Sequence, residues 1–437
     1  MKRLIESELI AWKQNVKRKP LLINGIRQVG KTWSVKQFGK EHFESFLYVN
    51  FDLEPSLSKV FQNSKDPKKI LMELSLFYDR TIEPTTTLIF FDEIQSCNEA
   101  LNALKYFEES NEAYYVIAAG SYLGVTLSKG DSFPVGKVEL IEMKPMTFKE
   151  FLLAKDMAVM VDHIEAINHM DGLSELIFEK LQGVFREFYM IGGMPEVVQE
   201  WVISNDLEKA NKVQENILNA YYRDFSKYPP MVMIPRILGV WNAIVGQLSK
   251  ENKKFKYSEI NKGARAREYE NALDWLLAGN YLKRVEYLEK LEMPIKGYLD
   301  EKHFKLYMPD VGLLRCKADF PMSELSTLKD QEIVPFKGAL AENVVLQELD
   351  FLHRQGVYFW AGQNYEVDFV IQRNNAIYPI EVKYGQNVKS KSLTKVLADH
   401  PKMIGIRYSS RNLAFDGKIL NIPFPLISET FRILQLI

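Results

Sequence analysis

Cysteine is scarce in this chain: Cys97 and Cys316 are the only two in 437 residues. They lie too far apart for metal-ligand spacing, so neither a zinc framework nor a disulfide scaffold is expected, and both read as small packing residues. Long apolar runs are missing too. No uninterrupted run approaches the ~20 residues of a spanning helix, so no membrane contact is expected. An excess of charge is also lacking. The formal net charge is −1, so any affinity for nucleic acid must come from local patches. Lys2 and Arg3 open the chain, but Glu6, Glu8 and Lys13 interrupt the apolar residues after them, which does not suit a signal peptide. A cytoplasmic location is the expectation. The remaining composition is ordinary for full globular cores: 46% hydrophobic and 26% charged residues, over a length that suggests about two to three domains.

The most informative stretch is Leu21-Leu22-Ile23-Asn24-Gly25-Ile26-Arg27-Gln28-Val29-Gly30-Lys31-Thr32. An apolar strand leads into Gly, four residues, Gly-Lys-Thr and a helix-compatible segment, which is the phosphate-binding loop in its proper setting. Gly25 and Gly30 permit backbone torsions that a side chain would block. The loop amides, Gln28 among them, and the helix start face phosphate oxygens. Lys31 would reach the β/γ phosphates and the Thr32 hydroxyl would ligate magnesium.

Other motifs flank and succeed the loop. Residues 2–18 carry Leu4, Ile5, Leu9, Ile10, Trp12 and Val16 at helical spacing. Phe46–Phe51 reads as a buried strand, and Asp66-Pro67 as the cap and first position of a helix over 67–78. Thr87-Leu88-Ile89-Phe90-Phe91-Asp92-Glu93 is an apolar strand that ends in two acids, about sixty residues after the loop. Ligands of open α/β sheets bind at that strand edge. Asp92 is expected to hold magnesium and Glu93 to act as base on the attacking water. A third strand, 114–121, ends at Ser121, which would sit between that water and the γ-phosphate; a turn serine is the bland alternative. Residues 138–143 alternate as one more strand.

Five motifs together resemble prokaryotic AAA+-type ATPases: the loop 25–32, Phe-Phe-Asp-Glu-Ile-Gln at 90–95, Ala-Gly-Ser at 119–121, Pro-Met-Thr-Phe-Lys-Glu-Phe at 145–151 and Gly-Gly-Met-Pro-Glu-Val at 192–197. The resemblance is to the subgroup with a nuclease-like C-terminal domain of uncharacterised function. It implies an αβα ATPase core over residues 1–150, a helical lid over 151–250, a winged-helix-like domain over 251–316 and a nuclease-like domain over 317–437. The fold class is accordingly α/β. The resemblance places Ser121 at the first sensor position, where relatives often have Asn. Gly136-Lys137 stands where many relatives have Gly-Arg, so no arginine finger is carried over; Arg186 and Arg223 are candidates, each read in preference as a helix-surface charge.

In the middle of the chain, helices are expected over 175–189, 196–202, 207–225 and 234–249. Residues 250–287 read as a winged helix with a wing strand at 281–287. Lys250 to Arg267 holds seven basic residues and two acids, but Glu268, Glu270 and Asp274 sit on the next helix, which favours an intramolecular brace over DNA binding. Residues 317–336 are the best linker candidate.

The last part of the chain carries a second constellation. Glu342 lies on a helix over 339–352, Asp368 in a strand at 366–371, and Glu381 and Lys383 two apart in a strand at 377–383. Residues i and i+2 share a strand face, so Glu381 and Lys383 converge. Two carboxylates would hold magnesium and the lysine would position a water. This is the PD-(D/E)xK nuclease pattern with Val367 in place of its proline. Glu342 corresponds to a third acidic ligand, and Lys389, Lys391 and Lys395 come after the pattern. A degenerate, non-cleaving nuclease fold is the equal alternative. The expected cofactors are ATP and Mg2+. DNA, a protein partner and a second copy of the chain all stay open as partners. The expected function is ATP hydrolysis coupled to a nuclease-like domain acting on or binding DNA, and the alternative is a nucleotide-switched scaffold.

Overall fold

The computed structural model describes residues 1–110, 112–121, 136–322, 335–353, 355–385 and 390–437. Lys389 and most of the expected linker lie outside them. The chain divides into two compact units, one of residues 2–144 with 278–280 and one of residue 1, 145–277 and 281–437.

The first unit is built on five parallel strands: β1 (Leu21–Asn24), β2 (Ser45–Asn50), β3 (Thr87–Asp92), β4 (Tyr115–Ala119) and β5 (Glu139–Glu142). Their order across the sheet is β2-β3-β4-β1-β5. Every residue of β3 is buried, as expected of a parallel strand covered on both faces. At the edge, β5 buries little, and Leu140 stays 56% exposed. Register decides which side chains share an end of the sheet. Ala118 on β4 lies opposite both Leu22 on β1 and Phe91 on β3, and Asp92 lies opposite Asn50 on β2. The residues after β1, β3 and β4 therefore emerge at one edge. Phe51, Phe61, Phe91 and Phe107 pack edge to face within this unit's core.

The helix Pro67–Tyr78 begins where Asp66-Pro67 indicated, with the Asp66 carboxylate accepting from Lys68 N. The N-terminal helix covers Ile5–Gln14 and buries Ile5, Leu9 and Trp12, while Val16 is left beyond its end, fully in solvent.

Among the helices that open the second unit are Phe148–Ala154, Glu175–Ile191, Pro195–Ser204, Leu207–Lys227 and Ile234–Leu248. The turn between the second and third of these is tied down by a buried acid. Gly193 N donates to Asp310 Oδ2 at 2.6 Å, and a Cβ on Gly193 would lie 2.1 Å from the Met146 carbonyl oxygen. Pro195 takes the first helical position. Met231–Leu248 is the one segment among the described residues long and apolar enough to cross a membrane. Its Ile237, Val240, Trp241, Ile244 and Leu248 are buried in this unit.

The second unit also holds an eight-stranded mixed sheet. Its strands are β6 (Lys283–Leu288), β7 (Leu299–Tyr307), β8 (Tyr358–Ala361), β9 (Glu366–Arg373), β10 (Ala376–Lys383), β11 (Gly405–Ser409), β12 (Ala414–Phe415) and β13 (Ile419–Pro423), in the order β12-β13-β11-β10-β9-β8-β6-β7. The wing strand expected after residue 281 is present, but its hairpin β6–β7 extends this sheet, because β6 pairs parallel to β8. The divisions drawn after residues 250 and 316 therefore fall inside one compact unit. Leu288 shows why: it joins Tyr358, Val367 and Val370 in a single apolar cluster.

Candidate functional site

At the C-terminal edge of the parallel sheet, the loop after β1 turns into the helix Lys31–His42. Gly30 takes a left-handed conformation at φ 95° just before it, and Gln28, exposed at the loop tip, does so at φ 66°. Gly25 is needed for closeness. A Cβ there would stand 2.2 Å from the Met143 carbonyl oxygen at the end of β5. Arg3 braces the loop from behind, donating to Val29 O at 2.8 Å and to Lys144 O at 2.8 Å.

Lys31 is buried and its ammonium donates to Gly25 O at 2.7 Å, Ile26 O at 3.1 Å and Ser121 Oγ at 2.9 Å. Burial pulls its pKa down to about 8, against the attraction of Glu93 and Asp92. Thr32 Oγ1 donates to Asp92 Oδ2 at 2.8 Å. The structure thus brings together Gly25, Gly30, Lys31, Thr32, Asp92 and Ser121. Glu93 comes next after Asp92 in a left-handed conformation at φ 50°, and its Oε2 accepts from Gln95 Nε2 at 2.6 Å. Burial raises its carboxyl above the ordinary range, which the Gln95 bond only partly offsets.

Two residues around Asp92 are not marked by any sequence motif. Tyr48 OH donates to Asp92 Oδ2 at 3.0 Å, and Asn50 Nδ2 donates to Tyr48 OH at 2.9 Å. Asn50 ends its strand as Asp92 ends the neighbouring one, and the two stand opposite in register.

The second constellation also comes together, with additional members. Glu342 lies on the helix Pro335–Leu352, Asp368 on β9, and Glu381 and Lys383 on β10. Asp368 Oδ2 accepts from Val382 N at 2.7 Å. Glu381 accepts from Lys383 Nζ at 2.5 Å on Oε1 and from Leu393 N at 3.1 Å on Oε2. Glu342 accepts from Tyr307 OH at 2.7 Å on Oε2, and Lys253 pairs with its Oε1. Lys305 pairs with Glu366 at 2.5 Å. Burial, with Glu342 and Glu381 nearby, pushes the Asp368 carboxyl up to about 7. Burial also opposes ionisation of Glu342, but Lys253, Lys305 and the Tyr307 hydrogen bond outweigh it and hold that carboxyl below the ordinary range.

The ligand oxygens of the expected trio, Glu342, Asp368 and Glu381, do not all lie within 4.8 Å of one another. Among the described residues, Glu6, Glu41 and His42 form the one group of three whose ligand atoms all lie within 4.8 Å of one another. Lys253, Lys305, Tyr307 and Glu366 were missed by sequence reasoning. Glu366 carried a signal, standing two residues before Asp368 on the same strand face. Lys253 reads in sequence as part of an outward basic patch, whereas it points at Glu342, and Lys250 pairs with Glu259 at 2.6 Å.

Known proteins resemble parts of this chain. Residues 17–152 match the family described as an AAA domain, residues 182–324 a domain of unknown function (DUF8612) and residues 337–427 another (DUF4143). Residues 17–152 are an AAA-type P-loop ATPase domain. No curated protein matches the chain. Among solved structures, the Walker-type ATPase PABY2304 of Pyrococcus abyssi is similar at 15% identity, over 72% of this chain and 95% of that one, with a TM-score of 0.45. The Aeropyrum pernix ORC1 protein, solved in complex with DNA, is similar at 12% identity, over 74% of this chain and 94% of that one, with a TM-score of 0.31.

Proposed function

We propose that this protein binds ATP with magnesium at Gly25–Thr32 and hydrolyses it. The observation that carries the reading is the convergence of Lys31, Thr32, Asp92 and Ser121 at one edge of the parallel sheet. The Thr32 hydroxyl and the Asp92 carboxylate are adjacent hard oxygen donors, which suits a magnesium ion. Magnesium, when bound, neutralises charge on the β and γ phosphates. Lys31 holds phosphate oxygens, exchanging its bonds to the Gly25 and Ile26 carbonyls for them. Gly25, Gln28 and Gly30 shape the loop amides around the same group. Glu93 orients the attacking water and takes its proton, and Ser121 senses the γ-phosphate through Lys31. Lys31→Ala should abolish phosphate release while Lys383→Ala leaves it intact. Wild-type protein that releases no phosphate from ATP would sink the proposal.

A second reading concerns residues 335–437, taken as a nuclease-like fold. Glu342, Asp368, Glu381 and Lys383 match the cleavage pattern in residue type and sequence spacing. Yet both oxygens of Glu342 and of Glu381 are already held by donors of the protein. That favours a domain that binds DNA or a protein partner under control of the ATP state, without cleaving. Plasmid nicking in magnesium or manganese that disappears in Asp368→Ala would overturn this reading. ATP turnover measured with and without DNA tests whether DNA is the partner.

A further inference from the structure

The acid cluster of the second unit takes its counter-charges from a distant stretch of chain. Glu342, Glu366, Asp368 and Glu381 all lie within residues 337–427, whereas Lys253 and Lys305 lie within 182–324, a separately matched segment. We infer that Lys253 and Lys305 are the resident cations of this cluster, that they do the work a divalent metal would otherwise do, and that they lock residues 250–307 onto the helix Pro335–Leu352 and β9. The inference deepens the non-cleaving reading of residues 335–437 and is independent of ATP hydrolysis.

Burial is the first argument. The Lys305 side chain is 2% exposed and that of Lys253 13%. Lysines are almost never buried to this degree without a charged partner. Lys305 is also immobilised along its length. Its backbone stands opposite Val285 in the β6–β7 ladder, and its ammonium lies 4.8 Å from the centre of the Phe359 ring while reaching Glu366.

Oxygen geometry is the second argument. A magnesium or calcium ion needs carboxylate oxygens aimed at one point. Here both oxygens of Glu342 are held by Lys253 and Tyr307, both of Glu381 by Lys383 and Leu393 N, Glu366 Oε1 by Lys305 and Asp368 Oδ2 by Val382 N. Charge is the third. Four acids face three lysines, a formal balance of −1, so a divalent ion would turn the cluster net positive. The cluster does not fit the metal that its sequence pattern implies. It fits ammonium groups.

The test uses the full-length protein without nucleotide. Manganese titration followed by electron paramagnetic resonance should give the same isotherm for the wild type and for Asp368→Asn. A stoichiometric site that Asp368→Asn weakens by about tenfold or more would overturn the inference. In thermal melting, Lys253→Met should lower Tm by several degrees, because it strands a buried carboxylate. Adding Glu342→Gln should recover most of the loss. Where Lys253→Met alone does not fold, recovery of a cooperative transition in the double variant supports the lysine role, and no recovery overturns it. An unchanged Tm in Lys253→Met also overturns it. Nicking measured on the same samples keeps the two readings apart. Nicking without a manganese site at Asp368 would remove the non-cleaving reading and leave the lysine lock to stand on the melting result.

Discussion

Thr32 Oγ1 and Asp92 Oδ2 are joined by a 2.8 Å hydrogen bond across sixty positions of chain. Thr32 lies in the first turn of the helix after β1 and Asp92 ends β3, so the contact exists only because β4 sets both strands in one register. The same Asp92 oxygen accepts from Tyr48. Thr32→Ala should therefore weaken magnesium-dependent ATP turnover by about 10²-fold while leaving the fold intact, read by phosphate release and by melting.

Glu93 separates binding from hydrolysis. Glu93→Gln should keep the ATP-induced rise in Tm and lose about 10²- to 10⁴-fold in phosphate release. A base must be ionised to act, and burial raises this carboxyl. The acid limb of the pH–rate profile should accordingly lie above the ordinary glutamate range, with activity falling as pH drops through it.

Gly25 tests the loop by space alone. With φ at 149° and a Cβ position 2.2 Å from the Met143 carbonyl oxygen, Gly25→Ala forces the loop or β5 to move. The strain is on the order of 1–3 kcal/mol. ATP affinity, measured by calorimetry, should fall sharply, with a smaller effect on Tm.

Glu348 sets a pH dependence in the second unit. It is buried, accepts from Phe148 N at 2.7 Å, and burial pushes its carboxyl up to about 8. Because the folded pKa is above the unfolded value, folding holds the proton more tightly. This stability is complete below the unfolded pKa and is lost as pH rises toward about 8. Asp310, raised by burial to about 6, acts in the same direction at lower pH. Gln at position 348 keeps an acceptor for Phe148 N and cannot ionise. Glu348→Gln should match the wild type in Tm at pH 5 and exceed it at pH 9.

Much of the first unit was legible in sequence because its signals are local. Gly25 and Gly30 with Lys31 and Thr32 mark a strand–loop–helix turn, and the apolar run 87–91 before Asp92 marks a parallel strand end. Tyr48 and Asn50 were not legible, since nothing in 46–51 says which neighbour that strand will have. The hairpin β6–β7 shows the same limit in the second unit. Its alternation was readable, but its partner β8 lies seventy residues away, and an unpaired edge does not reveal whose sheet it joins.

The sequence by itself determined the chemical parts: a phosphate loop, an acid pair at a strand end, and an acid–lysine pattern in the last hundred residues. Local spacing suffices there, because turn torsions and strand alternation are short-range constraints. Only the tertiary structure decided how charges are shared. Lys253 reads as a surface cation in sequence, but its ammonium is buried against Glu342. Lys305 lies between apolar neighbours and reaches Glu366. Pairing of buried charges depends on which surfaces meet and which dielectric surrounds them, and neither is written in any single stretch of chain.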